Sequence, residues 1–302
     1  MYHLTSIEDQ RNCIKKSRRV LKKDGILAIA YINKHYILTN TMLNNNYLKE
    51  SFIEKTLTSG VMKSGDEGNF WIESNYFTPK EIEGIKSSLS IKSEINLAGF
   101  KFFEAQYEKL DIVVAICNVG KVNSASCTQI LISHFGIDYI INLGIAGSMK
   151  NDVFLYDLII SKELVHYDVR KSQMIGRFPY QDTFKTSDFL RNLAIKSANL
   201  IQKKYHVGRI ATGESFVTDS KIKERIIKEF DPHCVEMEGA AIAHVAFINR
   251  VEFIVIRCIS DNATVSTNLN NKIIETASKN TTALALEMLK GLNLLESYIW
   301  GK

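Results

Sequence analysis

From about residue 95 the chain falls into short β-branched apolar runs, each followed by a stretch whose apolar positions have helical spacing. The runs are IVVAIC at 112–117, YIINLG at 139–144, LII at 158–160, GRIAT at 208–212 and FIVIRCIS at 253–260. Continuous apolar runs predict strands buried on both faces, and their alternation with helices predicts an α/β sheet covered on both sides. Between the first two runs, ASCTQILISHFG sets Ala125, Ile130, Ile132 and Phe135 at helix-compatible positions and stops at Gly136, a natural helix end. The segment IIETASKNTTALALEMLKGL predicts a closing helix.

The first 80 residues have another texture. EDQRNCIKKSRRVLKK, at 8–23, is charged with Cys13, Ile14, Val20 and Leu21 at near-helical spacing, and Asp24-Gly25 separates it from the strand-like ILAIAYI. Residues 33–69 carry polar stretches of loop character, LNNNYLKE and SGDEGN. The seven basic residues between Arg11 and Lys23 fit a solvated helix face better than a nucleic-acid or lipid contact.

Composition adds limits to this picture. With 45% hydrophobic and 24% charged residues over 302 positions, disorder, collagen and coiled coil are excluded. A formal net charge of +5 is too small to indicate a nucleic-acid binder, and most of it falls in the first 80 residues, which hold 12 basic and 8 acidic side chains. Five cysteines with no CxxC suit a reducing cytosol and give no metal pattern. The run Gly25 to Ile32 is interrupted by Asn33 and Lys34, well short of the roughly 20 residues a membrane helix needs. Glu8 and Asp9 stand where a secretion signal is basic and then apolar, so a soluble cytoplasmic protein is expected.

Ligands of α/β sheets gather beyond strand ends, which directs attention to CNVGKVNSA, NLGIAGS, ATGESFVTDS and RCISDNA. Gly120, Gly144 and Gly147 allow close approach of a ligand to the backbone, and Asp261 after Ser260 offers a carboxylate at a strand mouth. In CVEMEGAAIAHV, Glu236 and Glu238 flank Met237 just before a small-residue helix starting near Gly239. Two readings stand: the carboxylates chelate a sugar diol with Met237 packed under a ring, or they are acids favoured at a helix N-terminus. His244 reads as a packed histidine, whereas His166, after a strand, is a better functional candidate. Neither has a Ser or Cys arrangement suggesting a nucleophilic triad.

NVGKVNSA, INLGIAGS, GRIATGESFVTD, VEMEGAAIAHV and IRCISDNA follow one another at domain-sized spacing, and together they resemble 5′-methylthioadenosine/S-adenosylhomocysteine nucleosidases over residues 79–302. The resemblance implies a three-layer nucleoside phosphorylase-like fold with a central mixed sheet flanked by helices, a homodimer, and hydrolysis of the N-glycosidic bond of an adenosine thioether by water, with no cofactor, metal, nucleic acid or membrane as partner. It implies Asp261 as the acid that protonates N7 of adenine, helped by Ser260. Such an acid needs a water-poor pocket, which the apolar FIVI makes plausible. It further implies Phe216 and Val217 against the base with Ala146 and Gly147 on its other side, Met237 and Glu238 on the ribose with Glu236 nearby, Val119 lining the pocket, and Arg257 placing the water.

Two departures stand out. Relatives open with a strand and an IGAMxEEI-like loop whose last glutamate activates water. Here NYFTPKEIEGIKSS takes that place, and ungapped counting back from NVGKVNSA sets Glu81 at the glutamate position. Residues 1–78, YHLTSIEDQRNCIKKSRRVLKKDGILAIAYINKHY above all, resemble the C-terminal part of a class I S-adenosylmethionine-dependent methyltransferase, so a partial α/β methyltransferase-like segment is expected to precede the nucleosidase-like domain. The Gly-rich turn that holds the methyl donor in that family is missing, so methyl transfer is not expected. On this reading FWIESNYF replaces the nucleosidase's first strand. The second departure, VHYDVRKSQMIGRFPYQ, lacks the family's AFGY, which leaves Met174, Ile175 or Phe178 to face the 5′ substituent. The competing functions are an adenosine-binding or dimer-forming product whose catalysis the junction disabled, and a phosphate-dependent purine nucleoside phosphorylase.

Overall fold

The computed structural model describes residues 88–264 and 271–300. The expectations for residues 1–78, for the junction near residue 80 and for Glu81 lie outside the described residues.

The strand FIVIRCISD shows how this chain builds its layers. It lies in β9 (Glu252–Asp261), and its side chains alternate between two cores. Phe253, Val255 and Ile259 join one apolar cluster with Ala240, Ala243 and Ala246. Ile254, Ile256 and Cys258 join the other with Leu190, Ala194, Leu284 and Met288. A strand between two helical layers needs apolar residues on both faces, the origin of the unbroken apolar run. The odd-numbered face also carries Arg257, so the strand's own period drives a guanidinium into the protein.

Before the central sheet comes an antiparallel three-stranded sheet of β1 (Ser90–Leu97), β2 (Phe100–Tyr107) and β3 (Leu110–Ala115). The turn between β1 and β2 places Ala98 and Gly99 at φ 52° and 85°. The central sheet adds β4 (Tyr139–Ser148), β5 (Leu158–His166), β6 (Thr183–Lys185), β7 (Tyr205–Thr212) and β8 (Cys234–Glu236) in the order β6-β5-β7-β8-β4-β9. β5 also pairs with β9, antiparallel, so five strands close on themselves. β4 and β9 run parallel to each other and antiparallel to β8, which runs parallel to β7 and β5. The sheet is mixed, as expected, but its curl brings two oppositely directed strand groups end to end.

Helix α1 (Lys121–Phe135) ends at Gly136 in the left-handed region, as its sequence predicts. Helix α2 (Lys171–Gly176) is short. Helix α3 (Asp188–Leu200) is capped by the Ser187 hydroxyl, which accepts the Leu190 N–H, and α4 (Ser220–Phe230) by Asp219, which accepts those of Lys221 and Ile222. The alanine face of α5 (Gly239–Asn249) packs on the first core, and α6 (Asn271–Trp300) is the closing helix.

Ile254 is fully buried in the second core, with α3 and α6 over it. Ile254→Ala is expected to lower stability by about 2–5 kcal/mol, read from the urea midpoint, through lost burial and the cavity left behind.

Candidate active site

The sequence places a carboxylate in the last position of β9, and the structure encloses it. Asp261 is 7% exposed. Its Oδ1 accepts the Ala263 N–H at 2.7 Å and its Oδ2 the Ser260 hydroxyl at 2.8 Å. The Ala146 carbonyl lies 3.4 Å from the same hydroxyl oxygen. A serine hydroxyl has one hydrogen and a free rotor, so turning it toward Ala146 releases Oδ2 to carry a proton. Gly147 pairs with Asp261 across the β4–β9 ladder, and a Cβ there would lie 2.9 Å from both Oδ1 and the Ala263 Cβ. Glycine is the residue that lets these strand ends meet.

Glu236 and Glu238, read together as possible diol ligands, have different partners. Glu236 Oε2 accepts the N–H groups of Glu238 at 3.0 Å and Gly239 at 2.7 Å, and Arg257 Nη2 at 2.5 Å. Its Oε1 accepts the Thr212 hydroxyl, whose oxygen in turn accepts the Ala240 N–H at 2.8 Å. Both oxygens of Glu236 therefore have protein partners, Oε2 three of them and Oε1 one. Its place at the N-terminus of α5 fits the alternative reading, a carboxylate favoured there by the helix dipole and its unpaired N–H groups.

Glu238 keeps an oxygen for a ligand. Oε1 accepts the Gly120 N–H at 2.9 Å, while Oε2 stands 3.9 Å from Arg257 Nη2, beyond a hydrogen bond. Burial first, and the nearby Glu236 charge second, raise its proton affinity above the ordinary glutamate value, with Arg257 opposing. Arg257 is 1% exposed, its Nη1 donates to the Ile256 carbonyl at 3.1 Å, and its guanidinium would lie 3.1 Å from a Cβ at Gly144. Its Nε has no hydrogen-bond partner among the described residues. Burial works against its charge, but Glu236 and Glu238 raise its proton affinity further, so it is cationic.

The turn after β7 approaches the same corner. Val217 is buried beside Met149, Val235 and Ala263 in one apolar cluster, which brings the turn to the Asp261 corner. Phe216 next to it is 37% exposed, with ring surface available to a ligand. Ala146 and Gly147 are buried on β4, and Met237 and Val119 are half-buried, the latter next to the Gly120 N–H that holds Glu238.

Two neighbours, Cys117 and Thr212, were not singled out from the sequence. The Cys117 thiol, after β3, lies within the fields of Glu238 and Arg257; burial first and Glu238 second push it up to about 12, so it stays protonated. Thr212 is the last residue of a recognised apolar run, and nothing in its spacing marked it. His166 sits at the end of β5, where burial first, then Lys121 and His244, hold it down to about 4. His244 stacks on Phe184 at 4.7 Å, the packed histidine expected. Of the residues offered for the 5′ end, Met174 packs against the first core, while Ile175 and Phe178 are exposed. Among the described residues no cluster of three or more His, Cys, Asp or Glu is arranged for a metal, and no helix is long and apolar enough to cross a membrane.

Residues 76–290 match the phosphorylase superfamily. A 5′-methylthioadenosine/S-adenosylhomocysteine nucleosidase of Treponema pallidum is 34% identical over 232 residues, covering 67% of this chain and 86% of its own. Among solved structures, a Helicobacter pylori futalosine hydrolase superposes with a TM-score of 0.66 at 32% identity, over 71% of this chain and 94% of that one. A Helicobacter pylori nucleosidase mutant holding 5′-methylthioadenosine in its active site does so with a TM-score of 0.66 at 31% identity, over 71% and 95%. The coverage takes in all five strand-end segments from which the site is built, and the chain belongs to the phosphorylase superfamily, within its 5′-methylthioadenosine/S-adenosylhomocysteine nucleosidases.

Proposed function

We propose that the domain formed by residues 79–302 hydrolyses the N-glycosidic bond of 5′-methylthioadenosine, S-adenosylhomocysteine or both, and releases adenine. The observation that carries this reading is Asp261, a buried carboxyl group beside a hydroxyl rotor that can free one of its oxygens for a proton. Cleavage leaves negative charge on the purine and positive charge on the ribosyl ring, so the reaction needs a donor at the base and a carboxylate at the sugar. Asp261 delivers its proton to N7 of adenine, with Phe216 and Val217 against the base. Glu238 accepts the ribose hydroxyls through the oxygen Gly120 leaves free, over Met237. Glu236 and Arg257 act behind it as the fixed support. Glu81 takes the proton of the attacking water, whose oxygen bonds to C1′ as the bond to the base breaks.

The chain works as a homodimer in the cytoplasm on this reading. The exposed apolar side chains of Val122, Ile175 and Phe178 support the first, and the free thiols of Cys117, Cys127, Cys234 and Cys258 the second. The 5′ substituent is open to test, because a futalosine hydrolase shares the fold at 32% identity.

Adenine release from methylthioadenosine, adenosylhomocysteine and futalosine, each with and without phosphate, separates the readings. Phosphate-independent release is expected; a rate that requires phosphate points to a phosphorylase, and binding without turnover to a protein disabled at its junction. Asp261→Asn is expected to lower kcat by about 10²–10⁴-fold, the usual scale for a lost general acid. Glu81→Gln is expected to fall likewise, and full activity in either variant removes that residue from the mechanism.

Glu238 also gives a pH signature. Its raised proton affinity means that it is protonated on the acid side of neutrality and ionised on the alkaline side. Ribose hydroxyls donate better to the carboxylate, so binding of a non-hydrolysable thioadenosine analogue should strengthen as pH rises through neutrality and release a proton on the acid side. Calorimetry in two buffers of different ionisation enthalpy reads that proton, and Glu238→Gln should abolish it.

A further inference from the structure

The base-holding turn and the ribose-holding carboxylate come from different strand ends, yet one peptide turn touches both. The Gly120 N–H donates to Glu238, and the next N–H, of Lys121, donates to the Glu214 carboxylate at 3.1 Å. Glu214 stands two residues before Phe216, so consecutive amides at the start of α1 hold the ribose end and the base end. A side chain on Gly120 would put its Cβ 2.6 Å from Glu214 Oε1, and Gly120 has φ 95°, two reasons for glycine here.

A charged pair closes this arrangement from a third strand. Lys121 Nζ lies 2.7 Å and 2.8 Å from the two oxygens of Asp168, just past β5. Asp168 Oδ2 also accepts the Glu214 N–H at 2.8 Å. The two side chains are 19% and 26% exposed, although Asp168 as a residue lies at the surface, so the pair is screened less than one fully in solvent. Although burial alone raises the proton affinity of Asp168, the Lys121 and Glu214 hydrogen bonds more than offset it, and Asp168 is ionised. The neighbouring Tyr167 donates its hydroxyl to the Ser215 carbonyl at 2.8 Å, and its ring fills the space where a Gly213 side chain would stand. The Gly213 N–H completes the grip by donating to the Glu236 carbonyl at 3.1 Å.

We propose that Asp168 and Lys121 are positioning residues which fix the spacing between the base-holding turn at 214–217 and the ribose carboxylate Glu238, so that they serve a whole nucleoside and not a free base. This rests on the nucleosidase reading for what occupies the two ends. A nucleoside spans both holders with its base and sugar linked covalently, so a misplaced pair of holders penalises it, whereas adenine alone needs one of them.

The test compares Asp168→Ala, Lys121→Met and the conservative Lys121→Arg in the full chain. For the first two, free adenine should bind within about threefold of the parent, and a non-hydrolysable thioadenosine analogue should weaken by about tenfold or more, with KM rising more than kcat falls. Lys121→Arg should restore most of the nucleoside affinity, and the double variant should be little worse than either single one, as for one coupled pair. Equal weakening of adenine and the analogue, or no change in either, overturns the proposal. If the parent chain neither binds nor cleaves a nucleoside, the nucleosidase reading fails separately. Amide exchange then decides the tie itself: Asp168→Ala should speed exchange at both Glu214 and Gly120, and unchanged rates at the pair overturn it.

Discussion

The ion pair of Arg257 with Glu236 is the constraint on which the rest of the site stands. Two charges taken out of water cost several kcal/mol each, and their attraction offsets this only where the remaining hydrogen-bonding capacity is filled. Here it is nearly filled: Glu236 binds the guanidinium, the Thr212 hydroxyl and two amides at the start of α5. The bonds join β7, β8, β9 and α5 at one point. Removing either partner would leave an unpaired charge among buried side chains, so the pair specifies an arrangement more than it contributes net stability. The adjacent Glu238 stands at the mouth of that arrangement, and its oxygen is placed by a helix start that Glu236 has already fixed.

Curvature of the sheet explains why ends of strands that run in opposite directions reach one site. A flat parallel sheet puts all its strand ends along one edge. In this sheet β5 pairs with both β7 and β9, and the end of β4 pairs directly with β8 through Gly147 and Ser148. Asp261 arrives on one side and Glu236 to Glu238 on the other. Gly147 lies where they meet, paired with Asp261 on one edge and Val235 on the other. A side chain at that crossing would separate the acid from the backbone amide at Ala263 that orients it.

Much of this was legible in the chain. The run FIVIRCIS read as a doubly covered strand because its neighbours are apolar on both faces, and that is its burial. Gly136 ended a helix and Gly239 began one as the pattern required. The antiparallel sheet of β1 to β3 was legible only in part: IVVAIC read as a strand, but its partly buried side chains belong to this sheet and not to the doubly covered central one, and SIKSEINL carries partly buried side chains only at Ser93 and Ile95, so no apolar run announces β1. The closure of β5 on β9 was not legible either, since pairing between strands nearly a hundred residues apart leaves no local trace in either. Glu236 shows a third limit. Spacing put it level with Glu238, but which of two carboxylates meets solvent depends on where Arg257 and Thr212 lie, a matter of tertiary placement.

The electrostatics around Glu238 then follow from a count of charges in a closed space. One guanidinium faces two carboxylates, Glu236 at hydrogen-bonding distance and Glu238 at 3.9 Å. With both carboxylates ionised the group carries one excess negative charge, and burial makes that charge costly, which is why Glu238 holds its proton more tightly than an exposed glutamate. In the proposed reaction the ribosyl ring gains positive charge as the base departs. A carboxylate that is poorly compensated in the free protein and well compensated at that moment contributes to rate, because its interaction is stronger in the transition state than in the ground state. A second arginine at this position would relieve the free protein and cancel the gain. The incomplete neutralisation of Glu238 is therefore what the proposed chemistry asks of this end of the site.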